Sequence, residues 1–477
     1  MLSKALLLAT PALAFPAFFN SKQQQPIQPL DHSQGYQFDP LLHLPGISPY
    51  FDAVGFGLEH SAPSGCNITA ASYIVRHGAI YANDDEYEEF IKPFLWKLEK
   101  HRDGPWSGPL AFMAKWQSPV LEDKLEDLTP SGAVDATNVG KHLLERYPDL
   151  VPNTMRILAD KKSRTYDTAA NLVKAFPQVE EIEIVRVTTN ANGSMESLIP
   201  HKSCENFSKS PGTEEQDKFI EIYGKSVAKR LRPFMPFELS PFDVVGLQQL
   251  CGYESAITGK RSEICSVFND AEWMAYEYSW DLKYAYMVGP MNPLSPYLGF
   301  PWLQTQSEIF RNIQKRNHPG NSWPEDQRFF LGFTHREVPP FIATALGLFN
   351  SSSGATEEFP TDHINVSLPI TTRCLLTTDI PPWTRAWRMA DLIPFLGHVG
   401  MELMSCERGA VSGDGPGDFV RFIANTAPRP IPDCQDGPGA SCRFKDFRKL
   451  IGKGAKKHKD FHKVCDKKSG KGKGKHE

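Results

Sequence analysis

The chain has 477 residues, 40% of them hydrophobic and 23% charged. That balance excludes a largely disordered chain, a collagen-like repeat and a polytopic membrane protein, and it allows two to four domains or one large domain with an insertion. The formal net charge of −4 joins unlike parts: residues 453–477 carry ten lysines against Asp460, Asp466 and Glu477 for +7, residues 1–14 carry only Lys4 for +1, and the stretch between is therefore −12. An acidic body repels polyanions, which argues against nucleic acid as its partner.

Lys4 precedes a mostly apolar run that ends in Ala12-Leu13-Ala14, a small-x-small cleavage pattern. Residues 1–14 read as a secretory signal peptide, and Pro11 and Pro16 speak against a buried helix there. No other stretch is apolar for about 18 residues, so no membrane span is expected. Export puts the nine cysteines in an oxidising compartment, where pairing is expected with one left over. Five sequons, at Asn67, Asn192, Asn206, Asn350 and Asn365, fit a secreted, extracellular glycoprotein.

Residues 15–45 are polar and Pro/Gln-rich and read as a loose N-terminal arm. Residues 70–75, AASYIV, predict a buried strand that runs into Arg76-His77-Gly78. The spacing of Tyr87, Phe90, Ile91, Phe94, Leu95 and Leu98 predicts a helix over 84–100. Thr129 as N-cap and Pro130 at the first helical position open a helix to about Tyr147. Strands follow over 155–159 and 181–188, with Arg164 and a helix over 166–176 between them. Residues 214–235, 241–288 and 305–317 are helix-rich with few strand signals, and read as an insertion. RFFLGF, 328–333, is a fourth strand, ending at Thr334-His335-Arg336-Glu337. A helix over 341–349 comes next, and apolar runs over 392–404 and 419–425 finish the sheet. The expected fold is α/β. A central, mostly parallel sheet flanked by helices occupies residues 46–190 and 320–452, an α-helical subdomain occupies 191–319, and a solvated Lys-rich tail occupies 453–477.

Arg76, His77, Arg164, His335 and Glu337 all fall at the carboxyl ends of predicted strands, where ligands sit in open parallel sheets. Two arginines, two histidines and a carboxylate suit an anionic substrate. Arg forks onto phosphate oxygens, His can accept a phosphoryl group, and a carboxylic acid can protonate a leaving alcohol. Cationic side chains can stabilise the transferring group, so neither metal nor cofactor is required. No G-x-S-x-G elbow supports a serine hydrolase, and no cysteine pair has zinc-finger spacing.

Ile74-Val75-Arg76-His77-Gly78 resembles the RHG signature of the histidine acid phosphatases, the secreted branch of the histidine phosphatase superfamily that includes fungal phytases. Phe333-Thr334-His335 with ATALGLF at 343–349 resembles the family's second-histidine segment, and Ser163-Arg164 resembles its third phosphate-binding arginine. The resemblance covers roughly residues 45–465 and implies a phosphoglycerate-mutase-like fold. It implies a secreted phosphomonoesterase acting on a small phosphorylated substrate through a phosphohistidine on His77, with Arg76, Arg164 and His335 holding phosphate. It also implies the disulfides Cys66–Cys406, Cys204–Cys465, Cys251–Cys265 and Cys434–Cys442, with Cys374 left over and Cys465 anchoring the tail.

Two departures stand out. In the family pattern RHG-x-R-x-P, Ile80 replaces the second arginine and Ala82 the proline. The usual Asp after the second His is here Arg336, followed by Glu337, a variant similar to the His-Ala-Glu form of the inositol polyphosphate phosphatase branch. Glu337 is therefore the expected general acid, and Arg336 is expected to bind phosphate and partly restore the charge lost at Ile80. The alternative that Ile80 leaves open is a catalytically weakened or inactive phosphate-ligand binder. An exported mutase would lack its substrates. His101, His142 and His201 are expected at the surface.

Overall fold

The computed structural model describes residues 38–466 except 54, 56, 178, 189–196, 321–322, 350–386 and 408–415. The expected signal peptide, the first part of the arm, Cys374, the tail beyond Asp466 and the sequons at Asn192, Asn350 and Asn365 lie outside the described residues.

The architecture is set by strand β1 (Cys66–Arg76), whose last seven residues are all buried. Successive side chains of a strand point to opposite faces. Ala71, Tyr73 and Val75 enter one core with Ala136, Val139 and Leu143, while Ala70 and Ile74 enter a second core on the other face. With both faces covered, the strand reads as a continuous apolar run and not as an alternation. β2 (Met155–Asp160), β3 (Ile182–Val187) and β4 (Phe329–Thr334) join it in the order β3-β2-β4-β1, all parallel. Beyond β1 the sheet turns antiparallel through β5 (His398–Cys406), β6 (Gly417–Ala424) and β7 (Ala427–Arg429), and β8 (Cys442–Arg443) also pairs with β6. The sheet is thus parallel at its centre and antiparallel along one side. The expected strand over 392–404 begins only at His398. Residues 392–397 form a turn, and the Gly397 carbonyl accepts from the Arg76 backbone N–H at 2.9 Å.

Helices of eight residues or more are α1 (Lys92–Lys100), α2 (Pro130–Arg146), α3 (Ser163–Leu172), α4 (Thr213–Leu231), α5 (Pro241–Thr258), α6 (Asp270–Met287), α7 (Ser295–Gln314), α8 (Val338–Ala345) and α9 (Phe444–Lys457), counted among the described residues. Thr129 caps α2 through its hydroxyl, which accepts from the Gly132 N–H at 2.9 Å. Ser240 with Asp243, and Asn269 with Glu272, form capping boxes on α5 and α6. Helices α2 and α3 cover one face of the sheet. Helices α4 to α8 share the larger core on the other face. The beginning of the expected tail is ordered: 453–457 belong to α9, and a further turn, Phe461–Cys465, is tied down by a disulfide.

Four disulfides are present: Cys66–Cys406, Cys204–Cys465, Cys251–Cys265 and Cys434–Cys442. Among the described residues no helix is long and apolar enough to cross a membrane. Asn67 and Asn206 are exposed. The Asn206 amide nitrogen donates to the Val464 carbonyl at 2.7 Å.

Candidate active site

Adjacent parallel strands bring the two site histidines together. Where β1 pairs with β4, the His77 N–H donates to the Thr334 carbonyl at 3.1 Å. His335 follows directly, and the two rings stand 5.8 Å apart at 65°. The His77 Nδ1 lies 2.9 Å from the Gly78 carbonyl. A carbonyl only accepts, so Nδ1 carries the proton and Nε2 keeps its lone pair. Burial first, then the charges of Arg164 and Arg76, hold the His77 imidazole well below its ordinary range, and it stays neutral. Gly78 has no side chain where a Cβ would stand 2.9 Å from the Gly132 carbonyl, so this turn packs directly on α2.

Arg76 is fully buried. Its Nη1 donates to the Ile393 carbonyl at 2.7 Å, and its guanidinium lies 4.6 Å from the centroid of the Phe395 ring. Its Nε and Nη2 are buried with no protein partner. Burial and the nearby Arg336 lower it to about 10, which still leaves it cationic at acid and neutral pH. Arg164 opens α3 just beyond β2. Its Nη1 pairs with Glu126, its Nη2 lies 3.5 Å from the His335 Nδ1, and its Nε has no partner. Buried charged donors without acceptors are costly. Here they converge around a neutral imidazole, an arrangement that an incoming anion would satisfy.

Asp160, the last residue of β2, orients His335. Its Oδ2 accepts from the His335 Nε2 at 2.6 Å and from the Lys202 Nζ at 2.5 Å. Burial pushes this carboxyl up, but those two bonds outweigh it and keep Asp160 ionised. Burial, opposed by that bond, pulls His335 down to about 4.

Arg336 is buried and is held by Glu86, which also accepts from the Tyr253 hydroxyl at 2.5 Å. Its guanidinium lies 6.0 Å from the Tyr284 ring centroid, and its charge reaches Arg76. Ile80 is fully buried in the apolar core, bridged to Leu128, and no polar group of its own replaces the missing arginine. Glu337 is buried at the start of α8, its Oε2 without a hydrogen-bond partner and 4.0 Å from the His201 Nε2.

All six expected site residues, Arg76, His77, Arg164, His335, Arg336 and Glu337, fall in this cluster. Sequence reasoning missed Asp160, Lys202 and Glu86, and it placed His201 at the surface. His101 and His142 are exposed, but the His201 side chain is only 8% accessible. The missed signal was Cys204, whose disulfide to Cys465 pins the turn that carries His201 and Lys202. Among the described residues no group of three or more His, Cys, Asp or Glu side chains is placed to hold a metal ion.

Residues 67–425 match the family described as the histidine phosphatase superfamily, branch 2. The chain belongs to the histidine acid phosphatases. This phosphatase is 26% identical to Phytase A of Aspergillus oryzae over 457 residues, covering 90% of this chain and 91% of the relative. It is 24% identical to an acid phosphatase of Komagataella pastoris over 426 residues, covering 86% and 83%. Its fold is similar to the phytase of D. castellii, with a TM-score of 0.75 at 22% identity over 91% of this chain and 89% of that one. It is also similar to a multiple inositol polyphosphate phosphatase of Bifidobacterium longum, with a TM-score of 0.59 at 12% identity over 87% and 98%.

Proposed function

We propose that the chain hydrolyses phosphate monoesters in two steps through a phosphohistidine on His77. The observation that carries this reading is the set of unpartnered, buried donors on Arg76 and Arg164 around a neutral imidazole with a free Nε2 lone pair. In the first step the Nε2–P bond forms and the bond from phosphorus to the leaving oxygen breaks, with Glu337 giving its proton to that oxygen. In the second step water attacks phosphorus, the N–P bond breaks, and Glu337 takes the proton from water. Arg76, Arg164 and Arg336 hold the phosphoryl oxygens.

The charges around Glu337 by themselves favour its ionised form. Burial raises the Glu337 carboxyl, but His201, Arg336, Lys209 and His335 together hold it below the usual carboxylate range. The one N–H of neutral His335 is spent on Asp160. A bound phosphate dianion changes both, since its negative charge favours protonated forms nearby. It returns a proton to Glu337 and lets His335 ionise and contact the phosphoryl group. Both gains need protons, so activity is highest in mildly acid solution and falls as pH rises through neutrality. Purified enzyme assayed on p-nitrophenyl phosphate and phytate from pH 3 to 7 tests this reading. Turnover of neither substrate would mean a phosphate-binding homologue.

Arg336 supplies the charge that Ile80 withholds. Arg336→Ala is expected to raise the inhibition constant of inorganic phosphate and lower kcat/KM by roughly ten- to a hundredfold, the value of a charge-assisted bond of about 1.5–3 kcal/mol. The same substitution in a Glu86→Gln background removes the stranded carboxylate as a cause. Unchanged phosphate inhibition in both would show that Arg336 only packs. Export directed by residues 1–14 and glycans at Asn67 and Asn206 complete the proposal of an extracellular enzyme, and the phytases among its relatives make phytate the first polyphosphorylated ester to assay.

A further inference from the structure

The turn Pro200–Ser203 is short, yet it is held on both sides. The Thr334 hydroxyl, one residue before His335, donates to the Leu198 carbonyl at 2.6 Å. Cys204 is bonded to Cys465, 261 residues away. Between these two anchors, consecutive side chains take different partners. Lys202 reaches Asp160, and His201 turns to Glu337. The His201 ring stands edge-on to the His335 ring at 5.9 Å and to Phe207 at 5.8 Å. The buried polar atoms here without a hydrogen-bond partner include the His201 Nδ1 and the Glu337 Oε2.

We infer that His201 is the positioning residue of the proton donor: its Nε2–H holds Glu337 Oε2, turns the other carboxyl oxygen to the leaving group, and stabilises the carboxylate that remains once the proton has gone. The inference rests on the reading of Glu337 as general acid. At 4.0 Å the pair lies just beyond hydrogen-bond reach, and catalytic bonds that are long in an empty site tighten when substrate binds. The groups facing His201 are Glu337 at the start of α8, Lys202 on its own turn, Lys209 beyond it, Asp160 at the end of β2 and His335 at the end of β4. Burial outweighs the carboxylates among them and brings His201 to about 4, so above that pH it is a neutral donor and not a second acid.

Loss of His201 therefore acts on the proton and spares the phosphate. On an ester with a poor leaving group, such as glycerol phosphate, His201→Ala is expected to lower kcat/KM, which reports the phosphorylation step alone, about tenfold with little change in the inhibition constant of inorganic phosphate, a fraction of the roughly 10²–10⁴-fold that general acid catalysis supplies. The loss on p-nitrophenyl phosphate should be several-fold smaller, because nitrophenolate departs with little help from a proton. Removing a donor that favours the Glu337 carboxylate also moves the alkaline limb of the kcat profile to higher pH. His201→Gln, which keeps an N–H, should recover most of the rate and serves equally if the alanine variant folds poorly.

The assay uses the full-length protein with both substrates and both backgrounds. In a Glu337→Gln background, His201→Ala should cost nothing further. An additive loss there, or equal losses of kcat/KM on the two substrates, overturns the role of His201. Glu337→Gln alone decides the underlying reading. If it lowers kcat/KM equally for the two substrates, or for neither, Glu337 is not the acid, and the inference about His201 falls with it.

Discussion

His77→Ala is expected to abolish turnover, lowering kcat by at least about 10⁴-fold on every phosphate ester, since removal of a covalent nucleophile takes away the reaction path itself. Three features support His77 as the proposed nucleophile. Its Nδ1 proton is committed to the Gly78 carbonyl, which fixes the tautomer. Burial and the flanking arginines keep the ring neutral, so the Nε2 lone pair persists into acid solution. Its backbone is locked between β4 and the 392–397 turn, through the Thr334 carbonyl and the Leu396 N–H. The cations proposed to bind phosphate lie on other residues and survive the substitution. Inorganic phosphate should therefore still bind His77→Ala within a few-fold of the wild-type constant, measured by calorimetry beside the turnover assay. Retained turnover would remove His77 from the mechanism. Lost turnover together with lost phosphate binding would show that the substitution had disrupted the pocket.

The largest expected effect on stability lies at Glu402, fully buried on β5. Its Oε1 accepts from the Arg146 Nε at 2.8 Å and from the Tyr147 hydroxyl at 2.5 Å. Its Oε2 accepts from the Arg421 Nε at 2.8 Å. Arg421 in turn donates to the carbonyls of Glu59, His60 and Ser61, so this one carboxylate ties α2, β5 and β6 to the segment that leads into β1. Glu402→Ala leaves the buried Arg421 without a counter-charge, and breaking a buried pair from one side costs about 3–5 kcal/mol. Denaturant unfolding should show that loss. Glu402→Gln, which keeps an acceptor oxygen, should fall between the variant and wild type. Glu402 pairs in register with Ala71, five residues before Arg76 on β1, about 16 Å from the site at the rise of a strand. Activity per folded molecule should therefore be retained. A loss below about 1 kcal/mol would mean that the arginines find other acceptors.

What the sequence made legible was whatever local pattern decides. Residues 70–75 announce a buried strand, because they form a short apolar run rich in strand-forming residues. Arg76, His77, Arg164 and His335 could be placed because each lies at or shortly beyond the end of a strand, and strand ends in a parallel sheet share one edge. Thr129 and Pro130 fixed the start of α2 through chemistry within three residues. What stayed hidden was decided across the chain. Glu86 sits in the charged stretch Asp84-Asp85-Glu86, at the start of the predicted helix, and its buried partners, Arg336 and Tyr253, lie 250 and 167 residues away. His201 and Lys202 lie on a four-residue helix with no periodicity to read. Asp160 fell one residue beyond the predicted strand over 155–159 and drew no reading, although its carboxylate orients His335. The charge partition also sharpened. The acidic body contains a buried cationic cluster of Arg76, Arg164 and Arg336, and their positive potential is local to the proposed phosphate site.

The most direct test of the two-step path is the stereochemical course at phosphorus, followed with a phosphate monoester made chiral by oxygen isotopes and an alcohol as acceptor in place of water. Two in-line displacements, first by His77 and then by the acceptor, are expected to give net retention of configuration. Net inversion would mean a single direct displacement and would contradict a phosphohistidine intermediate.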